Sequence, residues 1–215
     1  LQKINLKNKY ALVTGSAGTN NLSGSYSYTV TQDDLGGTTG DFKMAVGILN
    51  ALDNAVESKL TLTNIKYTPS GVTDKGVVKN DYLDQYQASY ITLGDVWVEK
   101  DAYGTFQLKT GGCVSNATAQ SNIESTMGVS SGILDSSLAV YGSSQTKSAI
   151  NATEGSLVKF TNKAKVGDIV SFQYDFITDD YTPYADFSFF NIGSTTNMIA
   201  GVGTNVANFG SKSGL

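Results

Sequence analysis

Along residues 169–177 the apolar side chains Val170, Phe172, Tyr174 and Phe176 alternate with Ser171, Gln173 and Asp175. This period of two predicts a strand with one buried face. Residues 187–192, FSFFNI, read as its partner strand, and the connection TDDYTPYAD is too long for a tight hairpin and rich in acceptor oxygens. The same alternation predicts strands at 25–32, where Tyr26, Tyr28 and Val30 recur, and at 60–67, LTLTNIKY. Residues 90–99, YITLGDVWVE, read as a strand with an irregularity at Gly94-Asp95. Residues 1–13 place Ile4, Leu6, Tyr10 and Leu12 opposite Lys3, Lys7 and Lys9, as a half-buried edge strand would. Residues 14–23 read as a loop and 69–76 as a turn.

Helical spacing is rarer. Ala45, Leu49, Leu52 and Val56 recur at three- and four-residue intervals after Asp41, a cap residue, and predict the chain's best helix over 41–58. Ile123 and Met127 mark a short helix over 117–127, and another is expected near 133–138. The pattern as a whole predicts a mainly β protein, an antiparallel, jelly-roll-like β-sandwich with one or two short helices. Strand faces on both sides of residue 90 suggest an N-terminal lobe, 1–90, packed on a sandwich, 91–215, with one continuous domain as the alternative. No internal repeat or linker-like tract is visible.

Composition narrows the function. The 215 residues include 23 Gly, 12 Tyr and 2 Pro, and 16% are charged, as short strands and polar turns require. Fifteen Lys and Arg against 19 Asp and Glu give a net charge of −4, which lacks the basic patch that nucleic acid or an anionic membrane attracts. The absence of histidine removes the commonest general base and zinc ligand, so most hydrolase mechanisms are hard to write. The lone Cys113 rules out an intrachain disulfide and reads as a buried structural thiol. No apolar run is long enough to span a membrane as a helix. The first residue is Leu1, which reads as a processed chain or a fragment, and removal of a secretory leader is one explanation.

Asp179, Asp180 and Asp186, with Glu154, are the candidate metal ligands. Carboxylates crowded into one loop repel, and a calcium ion taking six to eight oxygens offsets that repulsion. A solvated acidic turn fits the same spacing, which is not that of an EF-hand. Tyr181 and Tyr184, either side of Pro183, form a platform for a sugar or peptide ligand or else pack over the sandwich edge. The Gly36-Gly37 and Gly111-Gly112 pairs are turn signals without phosphate-loop spacing. Asn21, Asn116 and Asn151 begin N-glycosylation patterns, which are unsurprising in a chain so rich in Asn, Ser and Thr.

From about residue 93 to 192 the segments GDVWV, LKTGG, NIESTMGVSSGILD, NATEGS and VGDIVSFQYDFITDDYTPYADFSFF follow one another. Their order resembles a domain of bacterial secreted and surface proteins, including sorted-anchor proteins of cyanobacteria and ligand-binding modules of large repeats-in-toxin adhesins. The resemblance implies a calcium-stabilised β-sandwich used outside the cell for adhesion or recognition, without catalysis. It places Glu154 in the ATEGS turn, Asp179 and Asp180 after the long strand, and Asp186 before the Phe. Residues 1–90 have no counterpart in it, and such domains continue into further strands beyond the point where this chain stops. A missing closing strand would expose an edge for residues 1–13 to fill, or for a neighbouring copy to fill by strand donation. The leading expectation is therefore a non-enzymatic extracellular surface protein whose partner is a carbohydrate, a peptide or further copies of itself. The rival is a virion structural protein, as a decoration, fibre or capsid-associated subunit, or a strand-donating filament subunit. A two-carboxylate polysaccharide enzyme is the weakest reading, because no cleft motif accompanies the acids.

Overall fold

The structure is a computed structural model that describes residues 11–13, 20–50, 57–71, 89–99, 105–110, 118–134, 152–179, 186–193 and 195–202. In chain order the described elements are β1 (Ala11–Val13), β2 (Asn20–Thr29), α1 (Gln32–Leu35), β3 (Thr39–Leu49), β4 (Lys59–Thr68), β5 (Ser89–Leu93), β6 (Val96–Glu99) and β7 (Thr105–Lys109). They continue with α2 (Gln120–Met127), β8 (Gly155–Lys165), β9 (Ile169–Thr178), β10 (Phe187–Ile192) and β11 (Thr195–Val202). Two sheets form, ordered β1-β11-β10-β3-β8-β5 and β2-β9-β4-β7-β6. All described pairings are antiparallel except β1 on β11, which is parallel. The expected β-sandwich is therefore observed, and both sheets interleave strands from either side of residue 90.

Between the sheets, Phe42, Met44, Val46 and Ile48 of β3 meet Leu60 and Leu62 of β4 and Phe172 and Phe176 of β9, all buried. Aromatic rings bridge the layers. Phe106 of β7 lies edge-on to Tyr90 of β5 and Phe160 of β8, with centroids 5.0 and 5.1 Å away, and Tyr26 of β2 sits 4.3 Å from Phe190 of β10. Such pairs contribute about 0.5–1.5 kcal/mol beyond their buried area. A second core covers the outer side of the six-stranded sheet, where α2 lays Ile123 and Met127 over Ala45, Leu49, Leu157, Phe187 and Phe189.

That second core explains the main departure from the sequence reading. Residues 39–49 are strand β3, not the start of a helix, and 51–56 lie outside the described residues. Phe42, Met44, Val46 and Ile48 face the sandwich interior, while Ala45 and Leu49 face α2. Superposing two period-two faces that are both buried yields apolar intervals of three and four, which imitate a helix. Gly47 belongs to the α2-facing side because the Phe189 ring crosses it there. A Cβ would lie 2.5 Å from Phe189 Cζ.

Three further expectations change. The 90–99 stretch is two strands in different sheets, β5 paired with β8 and β6 with β7. The crossover turns at Gly94, whose φ of 80° suits glycine and whose missing side chain leaves room for Ser156, a Cβ there lying 2.7 Å from Ser156 Oγ. β10 does not pair with β9, since it sits between β3 and β11 in the other sheet. The connection between them passes from one sheet to the other, which is why it is long. Asn20–Thr29 is continuous strand opposite β9, so the expected loop ends before Asn20. Of the expected strand at 1–13, Ala11–Val13 is observed on the edge of β11 and the remainder lies outside the described residues, as do Cys113, 135–138 and 72–76. The helix expected over 117–127 is present as Gln120–Met127.

Buried polar groups pin the connections. Glu124, 2% exposed, accepts hydrogen bonds from Gln120 Nε2 at 3.1 Å, Leu134 N at 3.0 Å and Gly132 N at 2.8 Å. Lys159 donates from Nζ to the carbonyls of Thr126 and Met127, capping α2 where its dipole is negative, and burial with the nearby Lys43 charge holds its pKa below the usual lysine value. At the turn between β8 and β9, Asp168 accepts from Tyr67 Oη, Ser70 N and Lys165 N. Burial pushes its carboxyl upward, yet these donors together with the Lys165 charge outweigh that effect and hold it below the usual carboxylate range.

Two predictions follow from these clamps. Glu124→Ala leaves the Gly132 and Leu134 amides without their acceptor, and we expect a loss of roughly 2–5 kcal/mol in urea unfolding. An unchanged midpoint would show that the carboxylate does not hold α2. Because the Asp168 pKa is depressed by folding, its contribution is full above the ordinary carboxylate pKa of about 4 and fades as pH falls below that. Asp168→Asn should therefore narrow the stability gap between about pH 7 and about pH 3 relative to wild type in urea titrations. Parallel pH profiles would contradict this.

Candidate functional site

The sequence-selected acids converge only in part. Leu49, at the end of β3, pairs with Phe187 on one side and Gly155 on the other. Asp186 and Glu154, each one residue earlier, therefore flank Asn50 at one end of the six-stranded sheet. Asn50 is 3% exposed, and its Oδ1 accepts from Glu154 N while its own N–H donates to the Glu154 carbonyl. Asp186 is buried and Glu154 half-buried, each with partners within the protein. Asp179 is exposed and follows Thr178 at the end of β9 in the facing sheet. Asp180, Tyr181 and Tyr184 lie outside the described residues.

This end of the sandwich is stitched by neutral polar groups. Ser58 Oγ donates to Thr178 Oγ1 at 2.7 Å, Ser58 N–H donates to Thr110 Oγ1 at 2.9 Å, and Ser156 Oγ donates to the Lys109 carbonyl at 2.6 Å while accepting from Asp95 N. The Ser156 bonds join β7, β8 and the β5–β6 crossover, so ends of both sheets meet there. Among the described residues, no three His, Cys, Asp or Glu side chains gather as a metal site. Glu154 and Asp186 by themselves offer fewer oxygens than the six to eight calcium takes, so the described residues do not form a calcium shell.

A second candidate was invisible to motif reading. On the outer side of the five-stranded sheet, a row in register crosses every strand: Ser23 on β2, Asp175 on β9, Thr61 on β4, Gln107 on β7 and Trp97 on β6. With strands about 4.8 Å apart, this row spans roughly 19 Å. Trp97 is 51% exposed, and one carboxylate oxygen of Asp175 is enclosed without a hydrogen-bond partner among the described residues. The next row holds Ser25, Gln173 and Thr63, after which β4 bulges. Asn64 sits in the bulge with φ of 50°, and its Nδ2 donates to Gln173 Oε1. Beside it runs a shallow groove of about 610 Å3, lined on its polar side by Ser25, Ser27, Asn64, Lys66, Ser171 and Gln173. At the polar end of the face, Lys109 pairs with Glu57 at 3.0 Å, and that partner raises its pKa.

The alternation of β9 placed Ser171, Gln173 and Asp175 on one face from sequence alone. Nothing in sequence showed that this face would stay in solvent, or that Trp97 would join it from a strand 78 residues away in the chain's numbering of Asp175. The bulge can be tested directly. Left-handed backbone costs a β-branched residue about 1–2 kcal/mol, so Asn64→Val should lower unfolding stability by that amount whereas Asn64→Gly should stay close to wild type. Equal losses in both would place the cost in the Asn64 to Gln173 bond instead. Compared with known proteins, the chain matches no family model, no curated protein and no solved structure.

Proposed function

We propose that this chain is a non-enzymatic extracellular β-sandwich that recognises a partner at a surface, contributing to adhesion. The observation that carries the reading is the unequal treatment of the two outer faces. α2 and its neighbours bury the outer side of the six-stranded sheet, while the outer side of the five-stranded sheet stays largely polar, a row of hydroxyl, amide and carboxylate groups that ends in an exposed indole and is flanked by Lys59, Lys66 and Lys109. A face built for packing would be apolar, as the other one is. The shared order of motifs with bacterial surface domains points the same way, as analogy. Calcium enters this proposal as a stabiliser of the crossover between β9 and β10, near Asp179 and Asp186, and not as part of the recognition face.

Two measurements test the reading. Beads coated with the chain should attach to at least one member of a panel of bacterial and epithelial cells, with free chain competing; attachment no greater than that of uncoated beads would overturn recognition. Thermal unfolding with excess calcium and with chelator tests the ion, and we expect a higher midpoint with calcium that is lost in Asp179→Ala/Asp186→Ala. An unchanged midpoint in a chain that runs as large assemblies under both conditions would favour the virion or filament subunit.

A further inference from the structure

The chemistry of the open face says what it binds. A tight protein interface centres on apolar and aromatic side chains that exclude water, and this face has one aromatic at its margin, with Ile169 and Ile177 at opposite ends of β9 and hydroxyl, amide and charged groups between them. A nucleic acid requires a basic stripe, and here Lys59, Lys66 and Lys109 stand off the central row, Lys109 paired with Glu57, while the row itself holds one carboxylate and no Lys or Arg in a chain of net charge −4. A lipid surface requires contiguous apolar side chains, and Trp97 is flanked in its row by Gln107. What remains is a ligand that is itself a mixture of hydroxyl groups and small apolar patches.

We propose that the outer face of the five-stranded sheet binds a neutral glycan chain laid across the strands along the row from Trp97 to Ser23. This rests on the recognition reading above and names its ligand class. The exposed indole supplies a flat apolar surface on which the C–H face of a pyranose stacks. Gln107 and Thr61, next in the row, offer an amide and a hydroxyl that each donate and accept, matching sugar hydroxyls that do the same. Asp175 stands at the fourth place. Its side chain is only partly buried, and a sugar hydroxyl that reaches the carboxylate from the open side makes a charge-assisted hydrogen bond. The row is roughly 19 Å long and open along its length, which suits a chain of several sugars better than a single ring. The bulge at Asn64 turns an amide toward Gln173 beside the row, so the groove there holds a branch or an adjacent sugar.

Trp97 is the only tryptophan in the chain, so its fluorescence reports on this face alone. The experiment titrates the full chain with cellohexaose, xylohexaose, mannohexaose and chitohexaose by fluorescence, and repeats each titration by calorimetry so that Trp97→Ala can be measured. We expect saturable binding of at least one hexasaccharide, weakened at least about tenfold in Trp97→Ala, largely kept in Trp97→Phe, and weakened roughly three- to tenfold in Asp175→Asn. Ile91→Ala, an exposed apolar change on the edge of the other sheet, should bind as wild type does. Thermal midpoints of the variants identify any loss that comes from unfolding, in which case Trp97→Phe and Asp175→Asn carry the test. Failure of all four glycans to bind, or binding that Trp97→Ala and Asp175→Asn leave intact, would overturn the glycan assignment. Beads carrying Trp97→Ala that still attach to cells would discard the glycan and leave recognition standing, whereas wild-type beads that never attach would discard both.

Discussion

Everything in this molecule follows from one sheet that is apolar on both sides. All six residues of β10 and the last six of β3 are buried, so the centre of the six-stranded sheet requires two covers. The five-stranded sheet provides one, and α2 with the segment around Leu134 provides the other. At about 25 cal/mol per Å2 of apolar surface, leaving either side wet would cost more than a marginally stable domain has to lose. The consequence is an asymmetric stack in which a helix, a double-faced sheet and a single-faced sheet follow in order, and of the two sheets only the last leaves its outer face to water.

Placing a short helix on a sheet face creates polar debts at its ends, and the buried charges answer them. Glu124 lies within α2 but serves the loop that follows, gathering two amides and a side-chain donor. Lys159 rises from β8 to take the last carbonyls of the helix. Asp168 does similar work at the opposite turn, where Tyr67 and two amides surround it. In each case the charge sits where backbone groups would otherwise be dehydrated and unpaired, which is the circumstance that makes a buried charge tolerable. These charges are therefore occupied with architecture. Asp175, on the outer side of the other sheet, differs from them in that one of its oxygens is enclosed and meets no donor among the described residues.

Much of the fold was legible from alternation, because a strand with one wet face writes its burial directly into every second residue. β9 and β4 show this. The 41–58 stretch failed for the opposite reason. When both faces of a strand are buried, its period disappears and the remaining intervals can counterfeit a helix. The motif reading likewise found the acids at the β9–β10 connection but missed the Trp97 row, because that row is made by registering five strands and exists in no segment of the chain.

The sequence by itself determined the extended stretches that keep one wet face, such as β4 and β9, the point at which Gly94 breaks another, and that the outer side of β9 is polar. It also narrowed the side chains on offer, since a chain without histidine lacks the commonest general base. Only the tertiary structure decided which strands are neighbours, which sheet is covered twice, and that Glu154 and Asp186 flank Asn50. The physical reason is that side-chain pattern is a local property of the backbone period, whereas strand order is set by long-range burial. Two strands with the same alternation can exchange places in the chain's pattern but not in the core.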